Sequence, residues 1–336
     1  MNNEATAANA AGSAVTDATG TGDAAFRVAP VTPPRAEWLA LLNRVYPHWG
    51  GDAEYDWVFE RADDPAPAVR FALEHSATGA IAAGSALVWR NLFAPDATGG
   101  GTGATGGTTV TGRTFTIGIM TGSWTLPEAR GRGCFTRVIA ESLARVNAAG
   151  ADALTAFVTA TNASARRLAA AGSLMLPAHY LFYDDPTAAG AAADATAAAA
   201  GNALISPSDA VRFGYDAAQF DAQFRDRPTA PFPHRTTGGR PCLLEMSADA
   251  VKVLHIEKND NLAADLADLG RWSLAEHGRK LYHYTTNPAE AAACRAAGFR
   301  HVPGWFTVLP AATTAGAALL DALRARPLEI QLGDKM

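Results

Sequence analysis

The stretch T-L-P-E-A-R-G-R-G-C-F-T-R, residues 125–137, decides how this chain is read. It lies between an alternating segment, Phe115–Thr125, that predicts a strand, and the strongly periodic Phe135–Ala148, that predicts a helix. The first turn of a helix carries four backbone N–H groups without intrahelical partners and the positive end of the helix dipole. Gly131 and Gly133 allow an anionic ligand to approach that backbone closely, and Arg130 and Arg132 add charge. The combination is a phosphate-binding device. It is not a Walker loop, because no Gly-Lys-Ser/Thr follows. It is not the dinucleotide fingerprint either, because Gly-x-Gly-x-x-Gly is absent and no acidic residue closes the next strand.

Working outward, Phe26–Val31 predicts a short strand and Arg35–Tyr46 a helix with Trp38, Leu41, Leu42 and Val45 on one face. Val69–His75 and Ala80–Phe93 predict strands joined at residues 77–79. Beyond the loop, Leu154–Thr159 predicts a strand, Ala163–Ala171 a helix and His179–Tyr183 a strand. In the second half, Asp209–Arg225 predicts a helix, Cys242–Met246 and Val251–Glu257 strands, and Leu262–His277 a helix. Lys280–Thr285 predicts a strand, Pro288–Ala297 a helix and Phe299–Leu309 a strand. The order repeats the later part of the first half. The letters repeat too: AFVTATNASARRLAAAGS (156–173) matches LYHYTTNPAEAAACRAAGF (281–299), with Asn162 and Gly172 aligned to Asn287 and Gly298.

Composition sets the outer bounds. The 336 residues suggest about two domains. With 48% apolar and 18% charged residues, a sizeable core is expected rather than wholesale disorder. The formal charge of −5 argues against a strongly basic nucleic-acid binder. Cys134, Cys242 and Cys294 show no Cys-x-x-Cys spacing, which reads as reduced thiols in a cytoplasmic protein. No apolar run approaches the eighteen or so residues of a membrane span. Residues 1–24 lack the basic and apolar regions of a signal peptide and predict a disordered tail. Residues 95–112 predict a flexible loop, and the Ala/Gly-rich stretch 186–204 a linker between two domains, 25–185 and 205–336.

The loop resembles the pyrophosphate loop of the GNAT acyl-CoA N-acyltransferases, whose signature is Gln/Arg-x-x-Gly-x-Gly/Ala between a strand and a long helix. Phe135 stands where Gly or Ala is usual, but the Pro-x-x-Arg-Gly-x-Gly-x-Phe-Thr form of the family is matched from Pro127 to Thr136. The strand, the Asn162 turn, the short helix and Gly172 follow in the family's order. Tyr55–Phe59 with Pro65 resembles the Trp-containing segment of two-domain members. Two positions depart. Ala169 stands where many members carry the tyrosine that protonates the departing thiolate, and Ser173 replaces the Phe of Gly-Phe. In the second half, Asn287 and Gly298-Phe299 persist, but no Arg-x-x-Gly loop precedes Leu262–His277. The resemblance therefore implies an α/β fold with a mixed sheet, two tandem GNAT-like domains, and a degenerate second domain.

The resemblance also implies acyl-CoA as co-substrate, no metal, and a small-molecule amine as acceptor, with no nucleic-acid or membrane partner. It points to Met120, Gly122, Trp124, Thr125, Arg130, Gly131, Arg132, Gly133, Cys134, Phe135, Thr136 and Asn162 as the acyl-CoA contacts. Cys134 reads as structural rather than nucleophilic, because transfer in the family is direct. Asn162 either caps the following helix or lies beside the pantetheine arm. The strand Phe115–Thr125 holds no Asp, Glu or His, so a base must come from elsewhere or from water. His179, His255 and Glu257 are the candidates, and Tyr180 or Tyr183 is a candidate for the missing acid. Trp57, Thr121 and Ser123 are candidates to face the acceptor, and Arg225–Arg227 a candidate acceptor-phosphate site or a solvated helix end. His283 and His301 show no ligand spacing. Direct transfer to a primary amine is the expected reaction, on a nucleotide-linked amino sugar or a natural-product amine. An aminoacyl-tRNA-dependent transferase and an acyl-CoA-binding protein without catalysis are the other readings. The oligomeric state stays open.

Overall fold

In a computed structural model of the chain, the described residues are 25–96, 111–185 and 209–335. The expected tail, most of the 95–112 loop and all of the 186–204 linker fall outside them. The first half supplies β1 (Phe26–Val28), α1 (Arg35–Val45), α2 (Asp52–Phe59), β2 (Val69–His75), β3 (Ile81–Pro95), β4 (Gly112–Thr125), α3 (Cys134–Ala148), β5 (Ala153–Thr159), α4 (Ala163–Ala170) and β6 (Leu174–Tyr183). The second supplies β7 (Val211–Gly214), α5 (Ala217–Phe220), β8 (Phe232–Arg235), β9 (Pro241–Met246), β10 (Ala250–Ile256), α6 (Leu262–His277), β11 (Lys280–Thr285), α7 (Pro288–Ala296), β12 (Arg300–Pro310), α8 (Thr314–Ala325) and β13 (Leu328–Glu329).

Several segments differ from the sequence expectation, among them the short strands β8 and β13, which it did not contain. Asp209–Arg225 is not one helix. Val211 and Phe213 are buried while Arg212 and Gly214 are half-buried, a period of two that makes β7, paired with both β3 and β13. Only α5 and one π-helical turn, Asp221–Arg225, follow. The Trp-containing segment is helix α2, which buries Tyr55, Val58 and Phe59. Helix α8 has no counterpart in the expectation; it buries Leu319 and Leu323.

The strands form one mixed sheet in the order β1-β2-β3-β4-β5-β12-β6-β11-β10-β9-β8, with β7 and β13 off this path. Its centre explains how two copies of one unit are joined. Strand β12, from the second half, lies between β5 and β6; strand β6, from the first half, lies between β11 and β12. The last strands of the two units are thus exchanged, and β6 and β12 pair antiparallel over nine residues, Leu174–Phe182 against Arg300–Val308. Buried side chains from both units close the exchange: Tyr180 and Ala178 with Phe306, Val308 and Tyr284. Helices α3 and α4 cover one apolar cluster of the first unit through Val138, Ile139, Val146 and Leu168. Helices α1 and α2 cover another through Trp38, Leu42, Tyr55 and Phe59. Helices α6 and α7 pack Leu262, Leu266, Leu269, Ala291 and Cys294 against the second unit.

Each unit contains one parallel pair that opens after three residues. Strands β4 and β5 pair only at Ile117–Ala153, Gly118–Leu154 and Ile119–Thr155. Strands β10 and β11 pair only at Ala250–Lys280, Val251–Leu281 and Lys252–Tyr282. Beyond those points each pair splays. A bulge lies just past each opening, between Thr121 and Trp124 on β4 and between Val253 and His255 on β10. In β4 the bulge holds Gly122 at φ +53°, where a side chain is disfavoured.

Candidate functional site

The loop after β4 begins with a 3₁₀ turn, Pro127–Ala129, and enters α3 at Gly133. Gly131 and Gly133 sit at φ +75° and +86°, and no atom lies within 4 Å of where a Cβ would stand on either. These glycines therefore satisfy a backbone demand and leave open space in front of it. Helix α3 has no side-chain cap. By contrast, Asn162 caps α4, Asn287 caps α7 and Thr313 caps α8. The N–H groups of Gly131, Arg132, Gly133, Cys134 and Phe135 have no hydrogen-bond partner among the described residues, whereas those of Thr136 and Arg137 bond the Gly133 carbonyl at 3.0 and 3.3 Å. Five free donors in sequence, at a positive helix end, are the complement of a pyrophosphate.

This loop forms one end of a cleft of about 970 Å³ that runs along the β4/β5 opening. Met120, Thr121, Gly122, Ser123, Trp124 and Thr125 line it from β4, and Ala156, Phe157 and Val158 from β5. Arg130, Gly131, Gly133, Cys134, Phe135, Thr136, Asn162 and Arg167 line the loop end. Past Ile119 the β4 edge that faces β5 has lost its ladder partner, so its backbone donors are available to a ligand seated in the opening. A cleft of this size, with this donor set and these open glycines, fits the pyrophosphate and pantetheine arm of coenzyme A.

The other end of the cleft is built by α1, α2 and the second unit: Val45, Tyr46, Trp49, Glu54, Trp57 and Val58 face Arg227, Pro228, Thr229, Glu245, Lys252 and Lys335. The Tyr46 hydroxyl donates to the Ser123 carbonyl inside the β4 bulge. Burial holds its phenol above the ordinary tyrosine range, against the pull of Arg130, so it stays protonated at neutral pH. Glu54 Oε2 accepts from the Gly51 N–H at 2.7 Å. Trp57 stands between two guanidinium groups, Arg227 at 4.6 Å and Arg61 at 4.9 Å, and its Nε1 donates to the Ala222 carbonyl at 2.8 Å. Glu245 accepts from Arg227 at 3.1 Å and from Lys252 at 2.5 Å. Burial works against its ionisation, but the two cations hold it below the usual carboxylate range.

The residues expected from sequence fall into three groups. The β4 set, the loop set, Asn162 and Trp57 all line the cleft, with Arg132 the exception. Its guanidinium turns to His75 Nε2 at 3.4 Å and to the Phe26 ring at 5.3 Å. Three of the lining residues also have structural work. Cys134 is buried, with Sγ on the Ala129 carbonyl, and burial pushes its thiol up. Asn162 Oδ1 accepts from the Ser164 N–H at 3.1 Å, so capping and cleft lining occur in one residue. Ser123 Oγ is tied to Ser85 Oγ at 2.6 Å.

The five candidates for proton transfer lie elsewhere; none lines the cleft, and Tyr183 is fully buried at the end of β6. His179 Nδ1 meets His301 Nε2 at 3.0 Å, and burial followed by His301 lowers its pKa. His255 packs edge-on to Phe220 and Phe224, and burial lowers its pKa. Glu257 follows the end of β10, whose opening belongs to the second unit. Tyr180 is buried in the central strand, and its ring lies 4.1 Å from Lys335 Nζ, through which it reaches the cleft. Tyr46, Glu54 and Lys335 were not signalled by any motif. Tyr46 lies at the end of a helix, Glu54 in an acidic, largely exposed turn of α2, and Lys335 in a segment without periodicity.

The second unit's opening is filled by its own chain. Segment 328–335 bonds to β10 through Gln331 Oε1, which accepts from the Ile256 N–H at 2.9 Å. It bonds to the end of β11 through Thr286 Oγ1, which donates to the Leu328 carbonyl at 2.6 Å and accepts from the Ile330 N–H at 3.1 Å. A Cβ on Gly333 would meet the Leu254 carbonyl at 2.7 Å and the Phe224 ring, so the segment is packed tightly against the β10 bulge. Lys258, ahead of α6, is spent on Glu290 and Glu329 at 2.5 Å each. A second coenzyme A would have to displace this segment from the opening.

No family model matches the sequence, and no curated protein matches it. Among the solved structures that resemble it in fold, two serve as examples. One, from Enterococcus faecalis V583, is a conserved protein of unknown function described as a probable N-acyltransferase; it is 7% identical, with a TM-score of 0.53 over 87% of this chain and 74% of that one. The other is a tandem GNAT protein from the clavulanic acid biosynthesis pathway, 15% identical, with a TM-score of 0.51 over 86% of this chain and 99% of that one. With its exchanged last strands and two opened parallel pairs, this chain has the GNAT N-acetyltransferase fold in its tandem form, the second unit degenerate.

Proposed function

We propose that the chain transfers an acyl group from acyl-CoA to the primary amine of a small molecule, a nucleotide-linked amino sugar or a natural-product amine. The observation that carries this reading is the continuity of one cleft, from five free backbone donors at 131–135, past the β4 bulge, to an acceptor end built by both units. Bound acyl-CoA supplies an activated thioester carbonyl to attacking nitrogen. The chain's own groups supply the rest. Loop donors and Arg130 hold the pyrophosphate. Backbone N–H groups on the free β4 edge orient and polarise the carbonyl, which is the preorganised electrostatics acyl transfer needs. Glu54 is the acceptor-end carboxylate whose partner is a backbone N–H rather than a cation, and it takes the proton from the amine. Tyr46, protonated and hydrogen-bonded at the bulge, donates a proton to the departing sulfur, the task for which Ala169 offers no group.

The test is thiol release. Purified protein with acetyl-CoA and longer acyl-CoAs is screened against primary amines, and acylated products are identified by mass. Amine-dependent release with a matching product is expected. Failure of the wild type to bind coenzyme A at all would sink the proposal.

A further inference from the structure

The acceptor end of the cleft contains a lysine, Lys335, that no carboxylate among the described residues pairs. The buried cations elsewhere have carboxylates: Arg61 and Arg90 share Asp64 at 3.3 and 2.7 Å, Arg227 meets Glu245 at 3.1 Å, and Lys258 meets Glu290 and Glu329. Lys335 has no carboxylate within 4 Å among the described residues. Its Nζ donates weakly to the Tyr282 hydroxyl at 3.4 Å. Three rings wall it in, Tyr180 at 4.1 Å, Tyr284 at 5.0 Å and Phe157 at 5.7 Å, and its remaining side is the cleft. It is also fixed in place, because Arg227 grips the carbonyls of Gly333 at 2.7 Å and of Lys335 itself at 3.0 Å. The second unit's wall thus presents three cations, Arg227, Lys252 and Lys335, against the single carboxylate of Glu245.

Resting on the acyl-transfer reading above, we propose that the acceptor amine carries an anionic group, a carboxylate or a phosphate, and that Lys335 Nζ receives it. A wall whose basic groups outnumber its lining carboxylates disfavours a simple ammonium or a polycation, and admits an amine that brings its own negative charge. The anion completes Lys335 as Glu245 completes Arg227 and Lys252, while the amine end lies toward Glu54. Burial, and then Lys252, lower the Lys335 ammonium to about 7 in the absence of such a partner; an anion restores its proton.

Two measurements test this. In the first, acetyl-CoA is offered with matched amines that differ in one anion: amino acids against their amides, and amino sugar phosphates against the free amino sugars. The wild type is expected to favour the anionic member by about 10- to 100-fold in kcat/KM. Lys335→Arg should keep that preference and Lys335→Met should lose it. The two series separate carboxylate from phosphate. Equal rates for both members, or an equal loss for both in Lys335→Met, would overturn the proposal. In the second, the protein is saturated with coenzyme A so that the loop is filled. Labelling of Lys335 by trinitrobenzenesulfonate is then followed by mass spectrometry, with and without inorganic phosphate or acetate. Protection by either anion is expected; unchanged labelling with both would overturn the anion site. Protection without turnover of any amine would uphold the site and count against acyl transfer alone.

Discussion

Replacing Gly133 with Asp separates ligand binding from folding. Gly133 has φ +86° and open space in front of its Cα, so an added side chain meets no atom of the protein. The cost to folding is conformational, about 1–2 kcal/mol for a non-glycine residue in this region and less for Asp or Asn. For a chain of this size that is a fall in Tm of about 2–4 °C per kcal/mol or less. The cost to binding is larger. A carboxylate about 5 Å from each charge of a pyrophosphate is repelled by ~0.8 kcal/mol per pair in bulk water and by ~3 kcal/mol at an effective dielectric of 20. Two such charges give a loss of about 2 kcal/mol or more, which is ~30-fold or more in Kd. Gly133→Asn makes the same backbone demand without the charge and should lose several-fold less. Calorimetric titration with coenzyme A, beside a thermal melt of each variant, reads both quantities. Unchanged coenzyme A affinity in folded Gly133→Asp would refute the assignment of the loop.

Further outcomes follow from the same geometry. Glu54→Gln should lower kcat by about 100-fold or more with little change in KM; a loss confined to KM would mean that Glu54 only binds. Tyr46→Phe keeps the ring and removes the donor, so coenzyme A affinity should hold within a few-fold while turnover falls, most with the poorest thiol leaving groups; unaltered turnover would remove Tyr46 from the mechanism. Glu290 is buried against Lys258 and His283 at 2.5 and 2.6 Å. Burial opposes its ionisation, but these partners overcome it and hold its pKa at about 2. A carboxyl with a depressed folded pKa stabilises fully above its unfolded value and loses that contribution as pH falls from about 4.5 towards 2, here ~3 kcal/mol. Glu290→Gln should be destabilised at pH 7 and show a shallower decline over that window in denaturant titrations; a parallel decline would place the acid sensitivity elsewhere.

What the sequence made legible was local. Gly131 and Gly133 before an uninterrupted apolar period announced a strand-to-helix turn with positive φ at both glycines, because both the φ and the helix end are properties of adjacent residues. The duplicated Asn turns, Asn162 and Asn287, were legible for the same reason, and both cap helices. The exchange of β6 and β12 was not, because alternation in a strand specifies a face and not a partner. The fate of Asp209–Arg225 was decided by β3 and β13, strands distant in sequence. Lys335 was invisible as a site residue: a single lysine has no pattern, and its place depends on segment 328–335 threading the second unit's opening. His179, His255 and Glu257 were chosen by residue type and do not line the cleft: His179 lies on the exchanged strand β6, and His255 and Glu257 lie at the end of the second unit's β10.

The claim on which the account rests is that the opening between β4 and β5, and that opening alone, takes acyl-CoA. Calorimetric titration of the wild-type chain with acetyl-CoA tests it most directly. The account predicts saturable binding of one molecule per chain. No binding would contradict the cleft's assignment, and two molecules per chain would contradict the closure of the second unit by segment 328–335.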